Sequence, residues 1–367
     1  MPEIKGLYGN RIILIDSSIK FGDTGEVLVY QDSTLYKGKL NGELQELISE
    51  EDKTDKKSIF TTIYEDPDPV IRIATPIRTV FKNGEEKYEE SMLYYYHKKF
   101  PYSFNIGLRT SGNMRRQICS FPPLKVNFKK KELKAFGYTN SDKFKILMPC
   151  RNTDGYLEHL KTEHLIYEIY SLIDSFGLQS KLTRIIIEDV KRDPKEYTGM
   201  ILEHKDHFSE RMDVKHVEVG ILRSAAFDAE DYIRFCLFQY LIANPDWEIT
   251  QRHNLVAIKK KDKAKLSMVP YDFDYCGLIH TDYAVPHESL PIEEVTQRYF
   301  MDKKIKLEQV KTVLPEFLSN RDKVIQHVTD VDYISEKTRK KVLSFLNKSF
   351  DILENEKRLK RNLGLRD

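Results

Sequence analysis

The chain has no long apolar segment, and this absence is typical of a protein that does not span a membrane. None of its apolar stretches approaches the ~20 residues of a transmembrane helix. Residues 1–10 also lack the basic segment followed by an apolar one that marks a secretory signal peptide. As it stands, the sequence predicts a cytoplasmic protein, with an exported mature fragment that carries an added Met as the alternative.

An excess of one charge is also lacking. The 59 Lys and Arg residues nearly balance the 57 Asp and Glu residues, which gives a formal net charge of +2. A chain without a basic field has no general attraction for nucleic acid, and its Lys and Arg residues are spread along the sequence. We therefore expect no nucleic-acid partner.

Cysteine is scarce, and none of it is spaced for zinc. Cys119, Cys150, Cys236 and Cys276 form no CxxC pair, so a zinc site is not expected. Cys119 and Cys150 could form a disulfide in an exported protein. Buried free thiols, which are common core residues, are the interpretation that we favour.

Two short segments carry the residues with the clearest chemical meaning. The first, 244–254, reads NPDWEITQRHN and places Asp246 eight residues before Asn254. The second, 269–277, reads VPYDFDYCG and contains Asp272. In phosphoryl transfer one Asp orients or deprotonates the acceptor hydroxyl, while an Asn and a second Asp hold Mg²⁺ against the phosphates. Protein kinases carry these residues in the same order, with Asp-Phe-Gly where this chain has Asp-Phe-Asp.

The surrounding pattern favours a metal-binding loop over isolated turns. Asp and Asn are also common turn residues, so the two segments alone are weak signals. An apolar helical run at 235–243 precedes the first segment, and residues 255–258 and 266–269 read as the two strands of a hairpin. A helix, a loop and a hairpin that ends on a carboxylate form the layout that such a loop requires.

These segments, together with several others, resemble the CotH spore-coat kinase family. The similarity is closest to a bacterial branch, common in Bacteroidota, that shares a TDW…HN…PYDFD core. The stretches that carry it are RTSGNMRRQICSFPPLKVNF (109–128), FKILMPC (144–150), YLEHLKTEHLIYEIYSLI (156–173), LIANPDWEITQRHNL (241–255) and VPYDFDYCGLIHTDYAVP (269–286). The resemblance implies an atypical kinase-like fold that binds ATP with a divalent metal, Mg²⁺ or Mn²⁺.

The expected fold is α+β, a two-lobed protein-kinase-like fold with an N-terminal β-rich module. Residues 1–96 form the β-rich module, 97–204 the kinase-like N-terminal lobe, and 205–367 a mostly helical C-terminal lobe with the catalytic loop and metal site. Local patterns predict strands at 11–19, 25–31, 33–40 and 70–81, a short helix and polar loop at 42–58, a hairpin turn at Asn83-Gly84, and helices at 154–176 and 336–361.

A kinase-like site also needs a Lys on a strand and a Glu on a helix to hold the α- and β-phosphates. Glu163, on the helix predicted over 154–176, matches the Glu. Lys125 and Lys145 both lie on predicted strands before that helix. CotH-type proteins carry a Lys shortly after their Gly-Asn segment, which favours Lys125. This chain reads FPPLK where many relatives read Pro-Lys-Lys, so Lys145 remains the alternative.

Four further residues are candidates on position alone. Gly112 and Arg116, in the SGNMRR turn, could cover the phosphates, and a plain hairpin turn is equally compatible with that sequence. Glu203 lies where a hinge would offer backbone groups to adenine. Asp274 is either a second metal ligand or a residue that orients Asp272.

The function that we favour is ATP-dependent transfer of a phosphoryl group to a protein hydroxyl, with Asp246 as the catalytic residue. The expected partners are a nucleotide and a protein acceptor. A catalytically silent module that binds a nucleotide or a partner protein is the alternative of another class, and AMP transfer on the same fold is a third. His253 either orients the loop or is a structural histidine, and we favour the second.

Overall fold

The chain is built from two compact units, and both contain helices and strands. The computed structural model describes residues 26–31, 34–39, 45–46, 57–97, 100–189, 192–218 and 220–365. Unit 1 comprises Met1–Cys150 and Lys181–Glu203, and unit 2 comprises Arg151–Ser180 and His204–Asp367. The predicted α+β class is therefore confirmed. The strand predicted at 11–19 lies outside the described residues.

The described strands, in chain order, are β1 (Glu26–Gln31), β2 (Thr34–Lys39), β3 (Gln45–Glu46), β4 (Val70–Ala74), β5 (Glu89–His97), β6 (Phe100–Thr110), β7 (Leu124–Phe128), β8 (Lys143–Leu147), β9 (Ser180–Glu188), β10 (Lys195–Glu203), β11 (Lys215–His216), β12 (Leu255–Lys259) and β13 (Ser267–Pro270). The described α-helices are α1 (Ile59–Glu65), α2 (Ile77–Asn83), α3 (Met114–Ile118), α4 (Lys130–Ala135), α5 (Asp154–Ile173), α6 (Lys205–Arg211), α7 (Ala229–Leu241), α8 (Leu307–Leu318), α9 (Arg321–Asp330), α10 (Glu336–Glu354) and α11 (Glu356–Leu363).

A closed seven-stranded barrel forms the body of unit 1. Its strands follow in the order β10-β8-β7-β6-β5-β4-β9. The pairs from β10 to β4 are antiparallel, and β4 pairs with β9 in parallel. The alternation in β7 shows how the sequence fits a barrel wall: Leu124, Val126 and Phe128 are buried, while Lys125 and Asn127 alternate with them on the other face. Strands β1, β2 and β3 form a separate sheet.

The segment 70–81, which we predicted to be one strand, is the strand β4 followed by the helix α2. Pro76 lies between them and lacks the amide hydrogen that a sheet ladder needs. After it, Ile77 and Val80 are both buried at a spacing of three residues, which is the spacing of one helical face. The β-branched residues of this segment therefore serve two different elements.

One other expectation in this part of the chain was wrong, and a second falls mostly outside the described residues. Asn83-Gly84, predicted as a hairpin turn, ends α2 instead, because Gly84 adopts a φ of 60° at the C-cap position. In the segment 42–58, predicted as a short helix and a polar loop, the described residues include the two-residue strand β3, which pairs with β2.

Cys119 and Cys150 form a disulfide in unit 1, so the preference for free thiols at these two positions was wrong. Cys119 follows α3, and Cys150 follows β8. The backbone amide of Ser120 donates to the carbonyl of Cys150 over 2.9 Å, and this bond holds the two segments side by side. The Cα atoms lie 4.5 Å apart, within reach of a disulfide. Cys236 and Cys276 are buried free thiols, as expected.

Helices dominate unit 2, together with the small antiparallel sheet β11-β12-β13. Helix α5 begins after Thr153, whose hydroxyl accepts the amide of Tyr156, and helix α7 begins after Asp228, whose carboxylate accepts the amide of Asp231. Ten of the thirteen residues of α7 are buried, so this helix lies in the core of unit 2. It ends directly before the predicted catalytic loop.

The amphipathic helix predicted over 336–361 is divided into α10 and α11 at Asn355. The Asn355 side chain accepts the backbone amide of Arg358 and so caps the second helix. Buried residues on both helices, such as Phe350 and Leu359, pack into the core of unit 2. Among the described residues, no helix combines the length and the apolar character that crossing a membrane requires.

Candidate functional site

The loop that follows α7 is shaped by Asn244. Its backbone amide donates to the carbonyl of Gln239 over 2.8 Å, and its side-chain amide donates to Gln239 Oε1 over 2.9 Å. Its Oδ1 accepts the backbone amide of Asp246 over 3.1 Å. This Asn-Pro-Asp turn is the local bonding that Asn and Asp favour, and it directs the chain so that Asp246 lies immediately beyond the helix end.

A tight turn returns the chain to Asp246. Glu248 and His253 exchange backbone hydrogen bonds of 3.1 and 2.8 Å, and the Glu248 carboxylate accepts the amides of Thr250 and Gln251. Burial raises the pKa of Glu248, but these hydrogen bonds outweigh it and lower the pKa overall. The turn therefore brings His253 and Asn254 back into contact with Asp246.

Asp246 accepts hydrogen bonds at both carboxylate oxygens. His253 Nε2 lies 3.0 Å from Oδ1, and Asn254 Nδ2 lies 2.8 Å from Oδ2 and 2.8 Å from the Asp246 carbonyl. The bond to Asp246 raises the pKa of His253 against the opposing effect of partial burial, and the charges of Asp246, Asp272 and Glu248 act in the same direction. Asp246 itself is partly exposed, so its carboxylate is fixed in direction and still accessible.

The hairpin of β12 and β13 brings Asn254 next to Asp272. Leu255 pairs with Pro270 in the antiparallel register, and the amide of Tyr271 donates to the carbonyl of Asn254 over 3.1 Å. Because the two strands end at the same point, the residue before one strand and the second residue after the other are close neighbours. Burial, followed by the charge of Asp272, raises the pKa of Tyr271 to about 12.

Asp272 is held from the side of helix α5. Its backbone amide donates to the hydroxyl of Tyr167 over 3.0 Å. The next residue, Phe273, is fully buried, with its ring 4.8 Å from that of Tyr167 and 5.9 Å from that of Phe238. Phe273 therefore anchors the Asp-Phe-Asp segment, while Asp272 remains partly exposed.

Asp274 is buried and bound within its own segment. The hydroxyl of Tyr283 donates to Asp274 Oδ2 over 3.0 Å, and the hydroxyl of Thr281 donates to the Asp274 carbonyl over 3.0 Å. Burial raises the pKa of the Cys276 thiol to about 12, and the charges of Glu163 and Asp274 add to the rise. Glu163 is fully buried on α5. Because its charge acts on the Cys276 thiol, it also affects the segment that carries Asp274.

Several residues of this loop and hairpin adopt the left-handed backbone region. The φ angles are 50° at Ala243, 58° at Arg252, 55° at Asn254 and 64° at Asp272. Asn and Asp tolerate this region, whereas each other L-residue there costs roughly 1–2 kcal/mol. Such strain concentrates at functional sites, where the surrounding structure fixes it. The cluster of strained residues therefore supports a functional role for this part of unit 2.

Lys125 and Lys145 lie in unit 1, directly opposite each other on β7 and β8. Arg109 of β6 is opposite Lys125 in the same row. Residues that face each other in an antiparallel pair point to the same side of the sheet, so both lysines project from the same outer face of the barrel. The sheet register therefore leaves both as candidates for the phosphate-gripping cation.

The turn at Gly112 is already engaged by an acidic side chain. Glu85 Oε1 accepts the amide of Gly112 over 2.8 Å, and Glu85 Oε2 lies 3.8 Å from Arg116 Nη1. Gly112 has a φ of 90°, and a Cβ built there would contact nothing within 4 Å. Glu203, the last residue of β10, is buried.

The donors in unit 2 suit Mg²⁺ or Mn²⁺ shared with phosphate oxygens. Asn254 turns its amide nitrogen toward Asp246, which directs its Oδ1 away from that carboxylate. Asp272 adds a partly exposed carboxylate. In the part of the chain that the structure describes, no group of three or more His, Cys, Asp or Glu side chains could hold a metal ion. A site with few protein ligands is the usual arrangement for Mg²⁺ bound together with phosphates.

Three contributors to this site were not identified from sequence. No local pattern marks Tyr167 as part of the site, because its hydroxyl contact with Asp272 crosses 105 residues. Asn244 could have been found, because Asn-Pro-Asp is a local pattern that bonds to nearby backbone amides, whereas Glu248 carries no such pattern.

Comparison with solved structures gives a distant similarity. No protein-family model matches the chain, and no curated protein matches it. Among solved structures, the chain is similar to the crystal structure of a Helicobacter pylori proinflammatory kinase, CtkA. The TM-score is 0.35 at 10% sequence identity, over 65% of this chain and 95% of that one.

Proposed function

We propose that the chain is an atypical protein kinase with a two-lobed fold, which uses ATP and a divalent metal to transfer a phosphoryl group to a protein hydroxyl. The observation that carries the proposal is the convergence of Asp246, Asn254 and Asp272 where a loop and a hairpin end in unit 2. Phosphoryl transfer depends mainly on such positioning and on charge stabilisation. The sequence resemblance to the CotH spore-coat kinase family supports the same activity.

In this proposal Asp246 orients the acceptor hydroxyl and takes its proton late in the transfer. Its hydrogen bonds with His253 and Asn254 fix the carboxylate before the acceptor arrives. Each carboxylate oxygen has two lone pairs, so each can accept a further hydrogen bond. We assign His253 the role of orienting Asp246, which is the alternative that the sequence analysis did not favour.

Asn254 and Asp272 are the proposed ligands of Mg²⁺ or Mn²⁺, which when bound neutralises charge on the β- and γ-phosphates. Asp274 has one oxygen bonded to Tyr283, so we propose that it chiefly stiffens the segment that carries Asp272. Lys125, with Lys145 as the alternative, and Glu163 are the proposed phosphate grip. Glu203 is the proposed backbone contact for adenine; Gly112 and Arg116 remain candidates for covering the phosphates.

One observation favours a catalytically silent binding module as the second candidate. The Gly112 amide, which would face a phosphate in a working glycine turn, donates to the Glu85 carboxylate instead. A carboxylate in that position repels an anionic ligand. If Glu85 does not move aside, the turn contributes nothing to nucleotide binding.

The proposal is tested by incubating the protein with bacterial lysate and ATP that carries label at either the γ- or the α-phosphate. We expect transfer of γ-label by the wild-type protein and none by Asp246→Asn. Asp262→Asn, at an exposed turn between β12 and β13, is the matched control and should transfer label normally. Label from the α position alone would indicate AMP transfer. Label from neither position, with metal-dependent ATP binding intact, would indicate the silent module.

A further inference from the structure

Helix α5 reaches the Asp-Phe-Asp segment through the side chain of Tyr167. The Tyr167 hydroxyl accepts the amide of Asp272 over 3.0 Å, and its ring packs 4.8 Å from that of Phe273. Tyr167 is almost completely buried, at 3% exposure. The hydrogen bond and the ring contact therefore act on two consecutive residues of the same strand end.

The hydrogen bond matters because Asp272 lies beyond the sheet ladder. Strand β13 ends at Pro270, and the last backbone bond across the hairpin is the one from Tyr271 to Asn254. Asp272 then turns into the left-handed region, with a φ of 64°. Its amide finds its partner in the Tyr167 hydroxyl rather than in a strand, and this bond fixes the peptide plane from which the Asp272 side chain projects.

We propose that Tyr167 is a positioning residue, and that its hydroxyl sets the direction of the metal ligand Asp272. The inference rests on the proposed function, since it takes Asp272 as a metal ligand. It adds a residue of helix α5, outside the loop and the hairpin, on which the direction of Asp272 depends.

The test compares Tyr167→Phe with Tyr170→Phe. Both substitutions remove one hydroxyl from a buried ring on α5, and the Tyr170 ring packs against Phe238, 4.7 Å away. Two quantities are measured: the dissociation constant of ADP with Mn²⁺ and with a chelator, by calorimetry, and the hydrogen exchange of the backbone over 268–274 without nucleotide.

For Tyr167→Phe we expect about a tenfold loss in the Mn²⁺-dependent part of the affinity for ADP and unchanged binding of ADP in chelator. Hydrogen exchange at the Asp272 amide should be at least tenfold faster. One tenfold step corresponds to about 1.4 kcal/mol, which is the size of one hydrogen bond. Tyr170→Phe should leave both quantities within twofold of the wild type. Equal effects of the two variants, or unchanged exchange at Asp272, would overturn the proposal.

Comparing the wild type with Tyr167→Phe separates this inference from the proposed function. If the wild-type protein binds no metal–nucleotide complex, the proposed function fails and the role of Tyr167 in metal binding fails with it. If the wild type binds the complex and Tyr167→Phe binds it equally well, the proposed function stands, and the role of Tyr167 alone is overturned.

Discussion

The side-chain hydrogen bonds of Asp246 distinguish a functional residue from an ordinary turn residue. A turn residue that only bonds to its own backbone needs no side-chain partners, whereas the Asp246 carboxylate is held by His253 and Asn254 from the far end of a tight turn. Asp246 and Asn254 could be predicted as a pair, because their types and their spacing are local. Tyr167 could not, because no local pattern places a hydroxyl 105 residues away from the amide that it binds.

Replacing Asp246 separates transfer from binding. Asp246→Asn preserves shape and one oxygen acceptor but turns an amide nitrogen toward either His253 or Asn254, which then lacks its acceptor, so we expect a loss of about 1–3 kcal/mol in folding free energy. Affinity for ATP with Mn²⁺ should change by less than threefold, while γ-phosphoryl transfer falls at least a hundredfold. Calorimetry and the label assay measure the two quantities. A parallel loss of both would assign Asp246 to binding or folding.

The substitution Gly277→Ala tests how tightly the segment that follows Asp272 is packed. A Cβ at Gly277 would lie 2.3 Å from the carbonyl oxygen of Val295 and 2.8 Å from the Cα of Thr296. Backbone atoms cannot move aside cheaply, so Gly277→Ala should destabilise the protein by about 1–3 kcal/mol. Gly155→Ala on α5 meets nothing within 4 Å and should stabilise it by about 0.5–1 kcal/mol. Urea unfolding of both variants gives the comparison, and equal effects would contradict the packing.

At the scale of single elements, the segments that obey one periodicity were predicted well and those that change periodicity were not. Helix α5 and strand β7 follow one pattern throughout their length. The segment 70–81 changes from strand to helix at Pro76, and its β-branched residues conceal the change. The tail helix was predicted as continuous, because the capping role of Asn355 becomes visible only where the chain bends.

Helices α5 and α9 are joined by a cluster around Glu168. His327 Nε2 lies 3.1 Å from Glu168 Oε2, His164 Nε2 lies 3.4 Å from Oε1, and the Tyr333 hydroxyl donates to Oε2. Burial raises the pKa of Glu168, but the hydrogen bonds from His164 and His327 outweigh it, so its pKa lies well below the usual range. The bond to Glu168 raises the pKa of His327 against partial burial, with a further contribution from the charge of Asp330.

These shifts predict a pH window for the cluster. The depressed pKa of Glu168 gives stability that is present above its unfolded value of 4.5 and is lost as the pH falls. The raised pKa of His327 gives stability that is complete below its unfolded value of 6.5 and is lost as the pH rises through the folded value. The contribution of the pair is therefore largest between pH 4.5 and 6.5.

His327→Gln should remove the alkaline loss, because Gln can donate to Glu168 at every pH. Between pH 6 and 8.5 the melting temperature of the wild type should fall by about 2–4 °C more than that of His327→Gln, which corresponds to about 1 kcal/mol. Thermal melts of the two proteins in matched buffers measure the difference. Parallel curves would show that His327 does not hold its proton through Glu168.

At the scale of the whole molecule, the sequence predicted an α+β protein, and two compact units are present. Unit 1 ends at Glu203 and α5 belongs to unit 2, while the division into a β-rich module and two lobes stays a prediction. The barrel of unit 1 could not be predicted, because its closure depends on pairing between distant strands such as β4 and β9.

The disulfide belongs to unit 1 and should stabilise it. Cys119 and Cys150 are separated by 31 positions, and closing a loop of this size typically stabilises a fold by about 2–4 kcal/mol. Replacing both by Ser should increase hydrogen exchange in β7 and β8, while exchange in α10 of unit 2 serves as the internal control. Unchanged exchange in the barrel strands would contradict a stabilising role for this bond.

We propose that Asp246, Asn254 and Asp272 form one metal-dependent nucleotide site, and thermal stabilisation by ATP is the test of this proposal. A ligand that binds only the folded state stabilises it by roughly 2.7 kcal/mol at a hundredfold excess over Kd, so ATP with Mg²⁺ or Mn²⁺ should raise the melting temperature well above ATP with a chelator. Asp272→Asn, which tolerates the left-handed backbone of Asp272, should lose most of this shift, and Asp262→Asn should keep it. If no nucleotide and metal raise the melting temperature of the wild type at concentrations up to millimolar, these three residues do not form such a site.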